Sequence, residues 1–105
     1  MESSQQMEST PMESPLPPAI LRLLGDRSYY KRKAAALEIT ALIKSLQENG
    51  EKDRISYVIN LLAQDFARSR NVHHRKGGLI GLAASAIGLV VDIDRYLHLL
   101  IPPVL

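Results

Sequence analysis

Five cations stand in two short runs. Lys31, Arg32 and Lys33 follow two tyrosines in "YYKRKAAALEI", and Arg75 and Lys76 follow two histidines in "HHRKGGLIGLAAS". Runs of this kind are either a contact for an acidic partner or an anionic membrane, or the solvated edge of a packing helix. Lys31, Lys33, Arg75 and Lys76 are the candidate partner or membrane contacts. Neighbours on a helix lie about 100° apart, so Lys31 and Lys33 leave the helix on different sides from Arg32.

No other constellation carries chemistry. His73 and His74 are adjacent and diverge on a helix, and neither has a ligand one turn away with metal-binding logic. His98 stands alone. Ser, His and Asp all occur, but no nucleophile turn of the Gly-x-Ser-x-Gly kind appears. "RKGGLIGLAAS" lacks the Gly-Lys-Ser/Thr ending of a phosphate loop and the Gly-x-Gly of a dinucleotide fingerprint. The sequence therefore predicts no catalytic residue, no cofactor and no metal, and a binding or scaffolding role rather than an enzyme.

Composition narrows the class. The chain has 105 residues, 46% of them hydrophobic, enough for one small domain with a core. It has no cysteine, which excludes a disulfide framework and a thiolate metal site. A net charge of +2 is too slight to argue for nucleic acid. Residues 1–15 hold three glutamates and no cation, so the remainder carries a surplus of positive charge. The longest uncharged stretch, residues 77–91, is shorter than the roughly 20 residues a membrane-spanning helix needs.

The elements that must position the cations are helical. "MESSQQMESTPMESP" cannot bury enough apolar surface to offset its ordering entropy, and predicts a disordered tail over 1–15. Pro17-Pro18 opens a short helix that stops at Gly25-Asp26. A second runs from about Ser28 to Asn49, with Gly50 as a left-handed stop. Asp53 is the expected N-cap of a third, which carries Ile55, Val58, Ile59, Leu62 and Phe66 on one face and breaks at Arg70-Asn71. A fourth covers about His73 to Val91, and a fifth opens near Ile93 or Asp94. The apolar, uncapped ending at Val104-Leu105 suggests the N-terminal piece of something longer, or a short isoform.

"PAILRLLGDRSYYKRKAAALEITALI" resembles a HEAT repeat: a proline-bearing first helix, Asp26 at the turn, Arg32 early in the second helix, and small residues where helices touch. The expected fold is all-α, an α-solenoid segment of HEAT-type helical repeats. Those repeats cover 16–101, and 102–105 continue a further repeat helix. Arg32 is expected to bond turn groups or Asp26. The second repeat departs from the pattern, because Arg75 lies ten residues after Asp65. Gly77, Gly81, Ala84 and Gly88 form a smooth stripe for close helix approach.

At "YYKRKAAALEITALI" and "HHRKGGLIGLAASAI" the chain closely resembles the vacuole-morphology scaffold family of the PIKfyve complex, over about residues 18–105. The resemblance implies a HEAT-repeat scaffold that holds phosphatidylinositol-3-phosphate 5-kinase and a Sac-domain phosphoinositide phosphatase together. It implies control of phosphatidylinositol 3,5-bisphosphate, homo-oligomers of the whole protein, and a cytoplasmic, peripheral place on endosome and vacuole or lysosome membranes. The residues alone reach only a helical scaffold, with a direct anionic-membrane module or a generic HEAT interaction scaffold as rivals.

Overall fold

A computed structural model of the chain describes residues 14–100, the last ten by backbone alone. The expectations for most of the acidic tail, for Pro102-Pro103 and for Val104-Leu105 lie outside the described residues. Among the described residues every regular element is helical: α1 (Pro18–Leu24), α2 (Tyr29–Glu48), α3 (Lys52–Leu61) leading into a π-helical turn (Leu62–Phe66), and α4 (Val72–Leu100).

Local sequence sets most of the boundaries. Pro17 caps α1 in an extended conformation and Pro18 takes a first-turn position where its missing N–H costs nothing. Gly50, at φ 70°, is the one left-handed residue among those described, and it turns the chain out of α2. Asp53 is not an N-cap: Glu51 holds that position, and Asp53 lies in the first turn of α3. Its carboxylate there is still favourably placed beside the positive end of the helix dipole. The helical run ends at Phe66, before the expected break at Arg70-Asn71, and Asn71 has another role. Its Oδ1 accepts the backbone N–H groups of His73 at 2.8 Å and His74 at 3.2 Å, capping the start of α4.

The largest departure from expectation is at the C-terminal side. The separate fourth and fifth helices are one helix of 29 residues, Val72–Leu100. Between Gly88 and Pro102 the sequence holds no glycine and no proline. Nothing there removes a backbone donor or offers a left-handed residue, and aspartates alone do not interrupt a helix. The chain from Ile93 to Leu100 thus continues α4 rather than opening a new helical pair.

The core is small and aliphatic. Leu24, Ala35, Ile39, Ile43, Val58 and Leu62 are fully buried, with Leu16, Leu46 and Ala84 nearly so. Each large aliphatic side chain removed from water contributes about 1.5–3 kcal/mol. Leu16, just after the predicted tail and before α1, is part of the packed structure.

α2 and α4 run parallel and in close contact. Gly81 faces Ile39 and Leu62, Ala84 accepts a 3.0 Å hydrogen bond from Thr40 Oγ1, and Gly88 faces Thr40 and Ile43. The glycines are what permit this. A Cβ on Gly77 would overlap the carbonyl oxygen of Leu24, and one on Gly78 would overlap the backbone N of Ala67 just past the π-helical turn. At Gly81 and Gly88 the nearest atoms would stand at 3.0 Å.

Both intra-pair turns are held by an arginine from the helix that follows. Arg32 is 7% exposed, and its Nη1 donates to the carbonyl oxygens of Asp26 at 2.8 Å and Arg27 at 3.0 Å. Arg75 Nη1 donates to those of Ser69 at 3.1 Å and Arg70 at 2.9 Å. Each acceptor stands five or six residues before its arginine in both turns. The turns also share a side-chain cap: Ser28 N–H donates to Asp26 Oδ1, and Asn71 N–H donates to Ser69 Oγ. Every member of the first set recurs 43 residues later. The aspartate's side chain is replaceable because the arginine bonds the carbonyl, not the carboxylate. The position to align with Asp26 is therefore Ser69, not Asp65.

Two outcomes follow from these contacts. Gly77→Ala should lower stability by about 3 kcal/mol, the upper end of overpacking, because backbone stands in the way. Gly81→Ala should cost about 1 kcal/mol or less, since only leucine and isoleucine methyls must yield. Urea denaturation of the two variants measures the difference. Arg32→Met should cost about 2–3 kcal/mol by leaving two turn carbonyls without a charged donor. Arg75→Met, at a more exposed turn where water substitutes, should cost about 1 kcal/mol by the same measurement.

Candidate partner-binding surface

Parallel packing of α2 on α4 leaves the side turned away from α1 and α3 open. On α2 it carries Tyr30, Lys33, Leu37 and Lys44, all exposed. On α4 it carries Lys76, the half-buried Ile80 and the exposed Ile87. Lys33 with Lys76, and Leu37 with Ile80, stand 43 residues apart, the offset that relates the two turns. The surface thus has a basic row near the turns and an apolar row further along.

α4 has a second exposed apolar line. Leu79, Ala83, Ala86 and Val90 are exposed and follow one another at helical spacing. Their counterparts 43 residues earlier include Ala36, Thr40 and Ile43. Thr40 and Ile43 are residues through which α2 meets α4.

The remaining candidates divide by role. Lys31 lies in the first turn of α2 with its Nζ 3.8 Å from Asp26 Oδ2. Arg75 is exposed, but its Nη1 is engaged by the turn behind it. Arg32 and Asp26 belong to the first turn, and Gly77 and Gly81 to the helix seam. Lys33 and Lys76 have exposed side chains with no hydrogen bond or ion pair within the described residues. His74 fills the space between the two turns: its ring lies 5.5 Å from that of Phe66 and directly against Gly25.

Sequence reasoning passed over Arg22, Arg27 and Arg70, which are exposed around the same turns. A shallow groove of about 560 Å³ there is lined by Leu21, Arg22, Gly25, Asp26, Arg27 and His74. The signal was present in the register: "DRSYYKRK" and "SRNVHHRK" align with arginine at their second and seventh positions and lysine at their last. Among the described residues no group of three His, Cys, Asp or Glu is placed to hold a metal ion. No helix among them is long and apolar enough to cross a membrane.

Comparison with known proteins adds the family. The family described as the Vacuolar 14 Fab1-binding region matches residues 73–105, a span that opens one residue into α4. A protein from Arabidopsis thaliana named Protein VAC14 homolog is 48% identical over 92 residues, 88% of this chain and 12% of that protein. The Saccharomyces cerevisiae protein Vacuole morphology and inheritance protein 14 is 45% identical over 83% of this chain and 10% of its own length. A Schizosaccharomyces pombe Protein VAC14 homolog is 44% identical over 82% of this chain and 11% of its own. The chain spans about a tenth of the length of these curated relatives. No solved structure matches it. Identity of nearly half, held across most of the chain against relatives from a plant and two yeasts, places the chain in the VAC14 family.

Proposed function

We propose that this chain is a segment of a regulatory scaffold for the kinase that makes phosphatidylinositol 3,5-bisphosphate, and that α4 carries its contact with the kinase. The observation that carries the reading is a coincidence of boundaries. The match to a Fab1-binding region opens at residue 73, and α4 opens at Val72. α4 also leaves large aliphatic side chains uncovered, at Leu79, Ile87 and Val90.

In this reading the two helical pairs are successive HEAT-type repeats. Their 43-residue offset falls within the roughly 40–47 residues of such repeats. The two exposed lines on α4 then have different occupants. Leu79, Ala83, Ala86 and Val90 repeat the register through which α2 receives α4, so they receive a further helical pair. Lys76, Ile80 and Ile87, on the side shared with α2, meet the kinase. The Sac-type phosphatase and further copies of the scaffold are partners of the whole assembly on endosome or vacuole membranes. The segment itself has no catalytic part in lipid turnover.

The test is capture of phosphatidylinositol-3-phosphate 5-kinase by the purified chain. Lys76→Glu combined with Ile87→Asp should weaken capture at least about tenfold, equivalent to about 1.4 kcal/mol. Leu79→Asp should leave it within about twofold, a change well below that free energy. Absence of capture by the unaltered chain, or indifference to the double substitution, would overturn the assignment.

A further inference from the structure

Among the described residues, unbalanced positive charge is gathered at one end. The α1–α2 turn and the α3–α4 turn lie side by side, with His74 between them. Around them stand Arg22, Arg27, Lys31, Lys33, Arg70 and Lys76, all exposed. Among the described residues, Asp26 and Asp65 are the acids that oppose them there. Asp26 is already engaged by the Ser28 N–H and by Lys31. At the opposite end, around Gly50, Glu48, Glu51 and Asp53 balance Lys44, Lys52 and Arg54, and Arg54 pairs with Glu51 at 3.1 Å.

The basic end is also where bulky side chains are left in solvent. Tyr29 is 52% exposed, Tyr30 81% and Val72 42%, each at the start of α2 or α4. Tyrosine combines an apolar ring with a polar tip and is enriched where lipid meets water. The tyrosines and Val72 beside the cations give this edge an apolar component, which fits a surface with apolar depth. The cations are firmly carried, because Arg32 and Arg75 fix the carbonyls of the turns from which Arg27 and Arg70 project. Arg27 and Arg70, like Lys33 and Lys76, recur at the 43-residue offset, so each helical pair adds to one continuous edge rather than to a closed pocket.

We infer that this turn edge docks on an anionic lipid bilayer, with its cations at the headgroup phosphates and Tyr29 and Tyr30 at the interface. The docking is peripheral. It differs from a membrane contact through Lys31, Lys33, Arg75 and Lys76 alone, because the Arg75 guanidinium serves its turn while Arg22, Arg27 and Arg70 are available. It shares Lys76 with the kinase contact assigned to α4, but Arg27 and Arg70, whose reversal tests it, lie outside that contact, so the two assignments fail separately.

Each Lys or Arg held at such a surface strengthens binding about fivefold. The experiment is sedimentation of the 105-residue chain with vesicles of phosphatidylcholine, alone or mixed with phosphatidylserine. Binding is expected to the mixed vesicles only, falling as salt is raised. Arg27→Glu with Arg70→Glu should weaken it at least about thirtyfold. Lys44→Glu with Lys52→Glu, at the other end, should leave it within about threefold, since these sites lie beyond a Debye length of the docked edge. Tyr30→Ala should weaken binding severalfold with no change of charge, a loss that capture by charge alone does not produce. Circular dichroism melts of all variants confirm folding. Failure to sediment with the mixed vesicles overturns the proposal, including the case where polyglutamate is captured instead. Equal losses from reversals at the two ends, or no effect of Tyr30→Ala, overturn it too.

Discussion

Everything in this structure depends on how near α4 comes to the backbone in front of it. At Gly77 and Gly78 it rests on main-chain atoms of Leu24 and Ala67, with no side chain interposed. Glycine inside a helix costs about 1 kcal/mol relative to alanine, and this helix has four. What offsets the cost is contact: the approach buries Ile39, Ile43 and Leu62 and brings Thr40 within hydrogen-bonding distance of the Ala84 carbonyl. The same approach makes α2 and α4 parallel neighbours, and so creates the open two-helix side and the double turn with its cations.

The two arginines show how a structural role can be carried by unlike sequences. Arg32 follows Asp26 and Arg75 follows Ser69, yet each donates to backbone carbonyls five and six residues behind it. The side chains at 26 and 69 do a different task, accepting a backbone N–H two residues on. An oxygen suffices for that, and both aspartate and serine supply one. A search for paired aspartate and arginine looks for a bond that neither turn makes.

How legible the rest was follows the same division between local and distant causes. α1 and α2 could be read closely because proline, Gly25, Asn49 and Gly50 mark their ends, and those signals act within a few residues. The glycine stripe was legible from its spacing, and its partners were not: that Gly77 meets a carbonyl and Gly81 only methyl groups depends on tertiary placement. The split of α4 was misread because two aspartates in "VVDIDRY" imitate a helix start, although no breaker accompanies them. The π-helical turn at Leu62–Phe66 has no local signal at all. Its 2.8 Å bond from Ala67 N to the Leu62 carbonyl spans five residues instead of four, and widens the turn where Gly78 comes against Ala67. Leu16, the first residue after the polar tail, carries no helical signal of its own, and its burial depends on α1 and α2 folding beside it.

The parallel course of α2 and α4 has an electrical consequence. Each long helix carries about half a positive charge at its N-terminus and half a negative charge at its far end. Two parallel helices add these moments, while the shorter α1 and α3 oppose them only in part. The axial moment points the same way as the side-chain asymmetry, with its positive pole at the turns. A molecule so polarised experiences a torque in any external field before it touches anything. It approaches a charged surface already rotated.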